Sequence, residues 1–263
     1  MKRRILSLAG ALLVALVARD AAAFGPASDF ASAAAYDDGW TDGDDGGSGW
    51  PALYPWTFSP TNAPFAVESS TGNGDGDTNL DGDIDTAGRA FTLVALNTSI
   101  AYAVRFFDPL PLQVGEHVAF DFDAAGAGPL YFASCALMEY VDTPQQRWGV
   151  QVSGDATNYG IIDATGVADV GVPLDDEGVH VEFELTGADS YASWVTPLGG
   201  TTTARSGTLG GSGDIVGVLC AIGGGGEGVS KAYFNSIVVP EPGAAAAAFA
   251  AALTIALGKR RQT

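Results

Sequence analysis

Apolar and polar residues alternate with a period of two through much of the chain between residues 90 and 239. From Val179 to Leu185, the residues Val179, Val181, Phe183 and Leu185 take one side, and His180, Glu182 and Glu184 take the other. That is the pattern of a strand with one face in a core and one in water. Phe120 and Phe122 alternate with Asp121 and Asp123 in the same way. The pattern predicts strands over 90–96, 102–107, 117–123, 130–139, 147–152, 158–163, 167–172, 179–185, 191–196, 215–222 and 231–239. Turn-forming clusters at Asp163–Gly166, Asp175–Gly178 and Gly187–Ser190 separate them at the spacing of a sandwich. Residues 24–64 show little regular pattern, and no stretch of 24–238 has the period of a long amphipathic helix. The expected fold is all-β, an antiparallel β-sandwich over 24–238.

Both ends break this pattern. Lys2, Arg3 and Arg4 precede an apolar run from Ile5 to Ala18, and Ala21-Ala22-Ala23 follows. A basic start, an apolar stretch and a small-residue site read as a signal peptide over 1–23. Residues 239–263 hold Pro240-Glu241-Pro242, an apolar run from Gly243 to Gly258, and the basic tip Lys259, Arg260 and Arg261. The run is shorter than the ~20 residues that span a bilayer comfortably, but the basic tip fits a cytoplasmic stop.

This C-terminal order resembles the PEP-CTERM sorting domain of Gram-negative bacteria. The resemblance implies recognition by an exosortase, membrane contact only through the tail before processing, and then residence at the cell surface or in an exopolysaccharide matrix. The stretches Ala35–Trp40, Gly46–Gly49, Ile84–Phe91 and Tyr233–Val239 resemble the ectodomains of such proteins. That resemblance implies a jelly-roll or concanavalin-like sandwich and no settled activity.

Charge narrows the function classes. The chain has a formal net charge of −19. Between residues 24 and 242, thirty acidic residues face five basic ones: Arg89, Arg105, Arg147, Arg205 and Lys231. Such a field repels phosphate backbones, so nucleic acid is not an expected partner, whereas divalent cations are attracted. Cys135 and Cys220 are the only cysteines. In an exported chain they are candidates for one disulfide, and two buried thiols are the competing reading.

Three groups are candidate sites. Asp77, Asn79, Asp81, Asp83 and Asp85 alternate around Gly82 and resemble an EF-hand or dockerin calcium loop. Calcium takes six to eight hard oxygens, but the closing position, normally a bidentate Glu, is Gly88. A solvated acidic turn is the alternative. Trp40, Trp50 and Trp56, with Tyr54, lie among Gly/Asp turns. They read either as rings for stacking on a sugar or as core. Trp148 and Trp194 lie in strands and are expected in the core. Glu182 and Glu184 share one strand face, but the Glu-x-Asp-x-(x)-Glu strand of concanavalin-like glycosidases is absent, and no Gly-x-Ser-x-Gly elbow occurs. The expectation is a non-enzymatic surface or matrix protein with a structural or adhesive role and calcium-assisted contact with extracellular polysaccharide. A polysaccharide-acting glycosidase and a displayed protein-binding domain are the alternatives.

Overall fold

The computed structural model describes residues 27–50, 53–60, 64–72, 83–107, 111–124, 130–140, 143–174 and 177–239. The signal peptide, the sorting motif Pro240, Glu241 and Pro242, the basic tip, and Asp77, Asn79 and Asp81 lie outside the described residues. The strands are β1 (Ala27–Asp29), β2 (Thr57–Ser59), β3 (Phe65–Glu68), β4 (Ala90–Leu96), β5 (Ile100–Phe106), β6 (His117–Asp123), β7 (Leu130–Tyr140) and β8 (Pro144–Ser153). They continue with β9 (Asn158–Asp163), β10 (Gly166–Pro173), β11 (Val179–Gly187), β12 (Ser190–Pro197), β13 (Thr203–Thr208), β14 (Gly217–Gly224) and β15 (Val229–Val239). Among the described residues the helical elements are two three-residue 3-10 turns, at Ala34–Tyr36 and Ser70–Gly72. No helix among them is long and apolar enough to cross a membrane.

The strands form two antiparallel sheets. Sheet I runs β13-β12-β11-β6-β15-β4-β3, with β1 also paired to β15. Sheet II runs β10-β9-β8-β7-β14-β5-β2. The expected alternation holds where it was clearest. Val179, Val181 and Phe183 on β11 pair in register with Phe122, Phe120 and Val118 on β6, and all six are buried. They meet sheet II through Trp148 on β8, which packs 4.8 Å from Phe183 and 6.4 Å from Phe120 between ring centroids. Large rings meeting tilted or edge-on across two sheets bury the most apolar area per residue. The result is one continuous core of the sandwich kind.

The strands that the alternation does not predict are explained by their composition. β13 is an edge strand with Arg205 at an inward position, so its apolar period is lost. β1, β2 and β3 have three or four residues each, too few for a period to show.

The N-terminal segment is held by polar contacts as well as by its rings. Arg105 on β5 of sheet II donates to Asp29 on β1 of sheet I, and both side chains are fully buried. Asp29 also accepts from Tyr36 Oη at 2.8 Å and from Trp56 Nε1 at 2.9 Å. Arg105 reaches out to Asp45 at 2.9 Å and to the Gly46 carbonyl at 3.0 Å. Burial lifts the Asp29 carboxyl above its ordinary value even though Arg105, Tyr36 and Trp56 oppose the shift.

A second clip lies beside it. A bulge in β15, with Ser236 at φ 52°, follows Asn235. The Asn235 amide donates to the Ile84 and Arg89 carbonyls at 2.9 and 2.8 Å, and its oxygen accepts from the Ala31 N–H at 3.0 Å. Truncating Asp29 to Ala should therefore leave a buried guanidinium without its buried partner and cost about 3–5 kcal/mol of unfolding free energy. Asp45→Ala, at the open end of the same cluster, should cost about 1 kcal/mol or less. Urea titration of the two variants measures the difference.

Candidate functional site

The aromatic set divides. Trp40 and Trp56 are buried, so neither offers a face to a sugar. Trp40 packs against Phe58, Phe91, Trp56 and Phe234 with centroids 4.6–5.2 Å apart and closes one end of the core. Trp50 is half-buried, and the Arg105 guanidinium lies 4.3 Å over its ring. A cation already occupies that face. Trp194 goes the other way: it was expected in the core, but it sits half-exposed on the outer face of sheet I.

The acidic loop is described only at its end. Asp85 takes hydrogen bonds from Ser69 Oγ at 2.6 Å and from the Ser70 N–H and Oγ at 2.9 and 2.8 Å, fixing the 3-10 turn at Ser70–Gly72. Both of its oxygens thus serve the fold. Among the described residues no three His, Cys, Asp or Glu side chains converge to hold a metal ion. Cys135 and Cys220 face each other in register across β7 and β14 as free thiols, both buried, with sulfurs 2.8 Å apart. Burial pushes the Cys220 thiol well above its ordinary value.

What the topology does assemble is a pair of outer sheet faces with opposite chemistry. On sheet II the inward positions of the five central strands carry the core, including Ala103, Cys220, Cys135, Val150 and Ile161. The intervening positions therefore point away from that core, although Val104, Ala136, Met138, Ala221 and Ser134 among them are buried. Across β5, β14, β7, β8 and β9 they read Val104–Leu219–Ala136–Gly149–Ile162 in one row and Tyr102–Ala221–Ser134–Gln151–Gly160 in the next. The flanking rows read Phe106–Gly217–Met138–Gln146 and Ile100–Gly223–Phe132–Ser153. Among these residues of the five central strands there is no acidic or basic side chain, although the chain is strongly acidic; Asp169 on the edge strand β10, the register partner of Gly160, brings the first charge to that side.

The glycines shape this surface. A Cβ on Gly223 would stand 2.6 Å from the Phe132 ring, and one on Gly149 would stand 2.6 Å from Gln146 Nε2. The absence of side chains lets the ring and the amide lie across the sheet. Phe106 adds Tyr140 at 5.4 Å and Tyr54 at 6.3 Å between centroids, making a run of three rings at one end.

The outer face of sheet I is acidic and holds both histidines. His180 Nδ1 lies 2.6 Å from Asp121 on β6, its register partner, and His180 Nε2 lies 3.6 Å from Glu182. His117 pairs in register with Glu184 at 3.9 Å and faces the Trp194 ring. The Asp121 hydrogen bond, which outweighs partial desolvation, holds the His180 imidazole above the ordinary histidine value, with Glu182 adding to it.

Period-two alternation already placed these polar residues on one side. It carried no sign that the uncharged face of sheet II is the larger feature, because that face emerges only when five strands are set side by side.

No protein-family model matches the sequence, and no curated protein sequence matches it significantly. Solved structures with a related arrangement include a protein of unknown function from Shewanella oneidensis MR-1, at 13% identity, a TM-score of 0.48, and coverage of 83% of this chain and 87% of that one. The globular domain of T. cruzi calreticulin is similar at 11% identity, a TM-score of 0.46, and coverage of 71% and 83%. The catalytic domain of a glycoside hydrolase family 131 protein from Coprinopsis cinerea matches with the same four values.

Two predictions follow from these environments. A raised folded-state histidine contributes stability that is complete below its ordinary value of about 6.5 and is lost as pH rises through the raised value. Asp121→Asn should return the His180 titration, followed by NMR of the ring, toward the ordinary range and flatten the fall in Tm above that pH. Under reducing conditions at neutral pH, iodoacetamide should label neither cysteine in the native protein and both in urea, as read by mass spectrometry.

Proposed function

We propose that this chain is an exported, surface- or matrix-displayed β-sandwich that holds neutral extracellular polysaccharide against the outer face of sheet II. The observation that carries the reading is the uncharged face itself: rings and amides on β5, β7 and β8 beside uncharged residues of β14 and β9, in a polyanionic chain. Pyranose rings present apolar C–H faces bordered by hydroxyls. Phe132, Phe106, Tyr102 and Tyr140 supply flat apolar area, and Gln151 supplies a donor and an acceptor beside them. The part of this face open to a ligand is its rings, with Tyr140 exposed and Tyr102, Phe106 and Phe132 half-buried. A face without charge offers a protein partner little electrostatic discrimination, which favours a glycan over the protein-binding alternative.

Export and sorting rest on the sequence: the leader over 1–23, Pro240-Glu241-Pro242, the apolar run and the basic tip. Together they support exosortase as the processing partner, an inner-membrane intermediate, and final display on a Gram-negative surface by an ectodomain of jelly-roll type. Calcium bound by the 77–85 loop would reinforce the fold rather than contact the glycan directly.

The test is a glycan array probed with the purified protein, in calcium and in chelator, alongside the double variant Phe132→Ala/Tyr140→Ala. The expected result is binding of neutral polysaccharide that the double variant weakens at least tenfold, with chelation altering it only if the acidic loop supports the fold. A blank array in both conditions sinks the reading. Release of reducing ends from a bound polysaccharide would shift it to the glycosidase alternative.

A further inference from the structure

The outer face of sheet I carries a second feature with different chemistry. Trp194 on β12 and His117 on β6 stand on either side of β11, with Glu182 and Glu184 on the strand between them. Trp194 is the register partner of Glu182, and His117 is the register partner of Glu184. The two rings are nearly parallel, at 12° between planes, with centroids 6.5 Å apart. The parts are open: the side chains of His117 and Glu182 are 56% and 52% exposed. One wall is an indole, the aromatic face that attracts cations best. Two carboxylates line the strand beneath.

The surroundings set the sign. His180 is a nearby basic group, with Nδ1 on Asp121 at 2.6 Å and Nε2 3.6 Å from Glu182. Each of the five basic residues of 24–242 is committed elsewhere: Arg89 to Asp37, Arg105 to Asp29 and Asp45, Arg147 to Asp189, Arg205 to Asp163, and Lys231 to Glu68. Among the described residues no lysine or arginine therefore neutralises the acids beside the ring pair. An ammonium group seated over the pair would lie within the ~6 Å reach of the indole face and beside two carboxylates.

We propose that Trp194, His117, Glu182 and Glu184 form a binding site for a protonated amino sugar. The pyranose stacks on the Trp194 indole, and its ammonium group is held by Glu182 and Glu184. The inference shares with the preceding section only that the ligand is a glycan. It uses the opposite sheet and a charged rather than a neutral sugar, so either can fail alone.

The probe is the β-1,4-linked glucosamine tetramer, measured by isothermal titration against the purified protein, with the N-acetylated tetramer and spermine as comparisons. The expected result is binding of the glucosamine tetramer at least tenfold tighter than of either comparison. That binding should fall at least tenfold in Trp194→Ala and in Glu182→Gln/Glu184→Gln, and stay unchanged in Phe132→Ala/Tyr140→Ala. The Gln substitutions are isosteric, at an exposed Glu182 and a half-buried Glu184, so unaltered thermal unfolding separates lost binding from lost fold. No binding of the glucosamine tetramer overturns the proposal. So does binding that the Trp194 and Glu182/Glu184 variants leave unchanged, or binding that spermine matches, because either is general attraction to a polyanion.

Discussion

The buried Arg105–Asp29 pair is the constraint on which the rest of this sandwich depends. Two charges taken out of water cost several kcal/mol each unless their remaining hydrogen-bonding capacity is met. Here Tyr36 and Trp56 complete the carboxylate, and Asp45 and the Gly46 carbonyl take the second amino group of the guanidinium, whose Nε makes no hydrogen bond. An apolar plug at this position would accept many registers of the N-terminal segment. A carboxylate with fixed donors accepts one. The pair joins the two sheets at the end of the core, so the register of β1 on β15, the seat of Trp40 and the run of residues 36–46 are set together.

The stretches that suggested a known kind of ectodomain meet at this corner. Tyr36 touches Asp29 and packs edge-on against Phe91 at 4.9 Å. Arg89 bonds Asp37 at 2.7 Å, and Asn235 gathers the carbonyls of Ile84 and Arg89. Trp40 lies against Phe91 and Phe234. Residues 35–40, 84–91 and 233–239 thus form one contiguous closure of the sandwich. Their physical role is to fasten a poorly periodic N-terminal segment, which explains why they carry no nucleophile or acid–base pair. The motif is legible because folding demands it, and it says little about ligand.

How much could be read in advance follows from the same division. The strands with one wet face, β6 and β11 above all, were legible because their neighbours in sequence differ in polarity. The uncharged face of sheet II was not, because Val104, Leu219, Ala136, Gly149 and Ile162 lie on five strands and become neighbours only through pairing. Residues such as Ala136 and Gly149 are apolar on either side of a strand, so alternation is silent about them. Trp194 was misplaced for the opposite reason. A large ring in a strand is more often core, and only the inward positions of Tyr191 and Val195 force it out. Trp40 and Trp56 followed the ordinary rule and became the core.

The two faces also explain an economy of charge. The chain has few cations, and each between residues 24 and 242 is used to hold an edge, a loop or the core clamp. Arg147, for example, donates to the Gly210 carbonyl at 2.7 Å and to Asp189. Pairing the cations internally leaves the remaining acids to set the field at the surface, which keeps copies of the chain apart and favours solubility. Against that field, the outward rows of the five central strands of sheet II stand out among the described residues as free of charge. The outer face of sheet I is acidic instead, with Asp121, Glu182 and Glu184 around its two histidines. One core thus separates two faces of different chemistry.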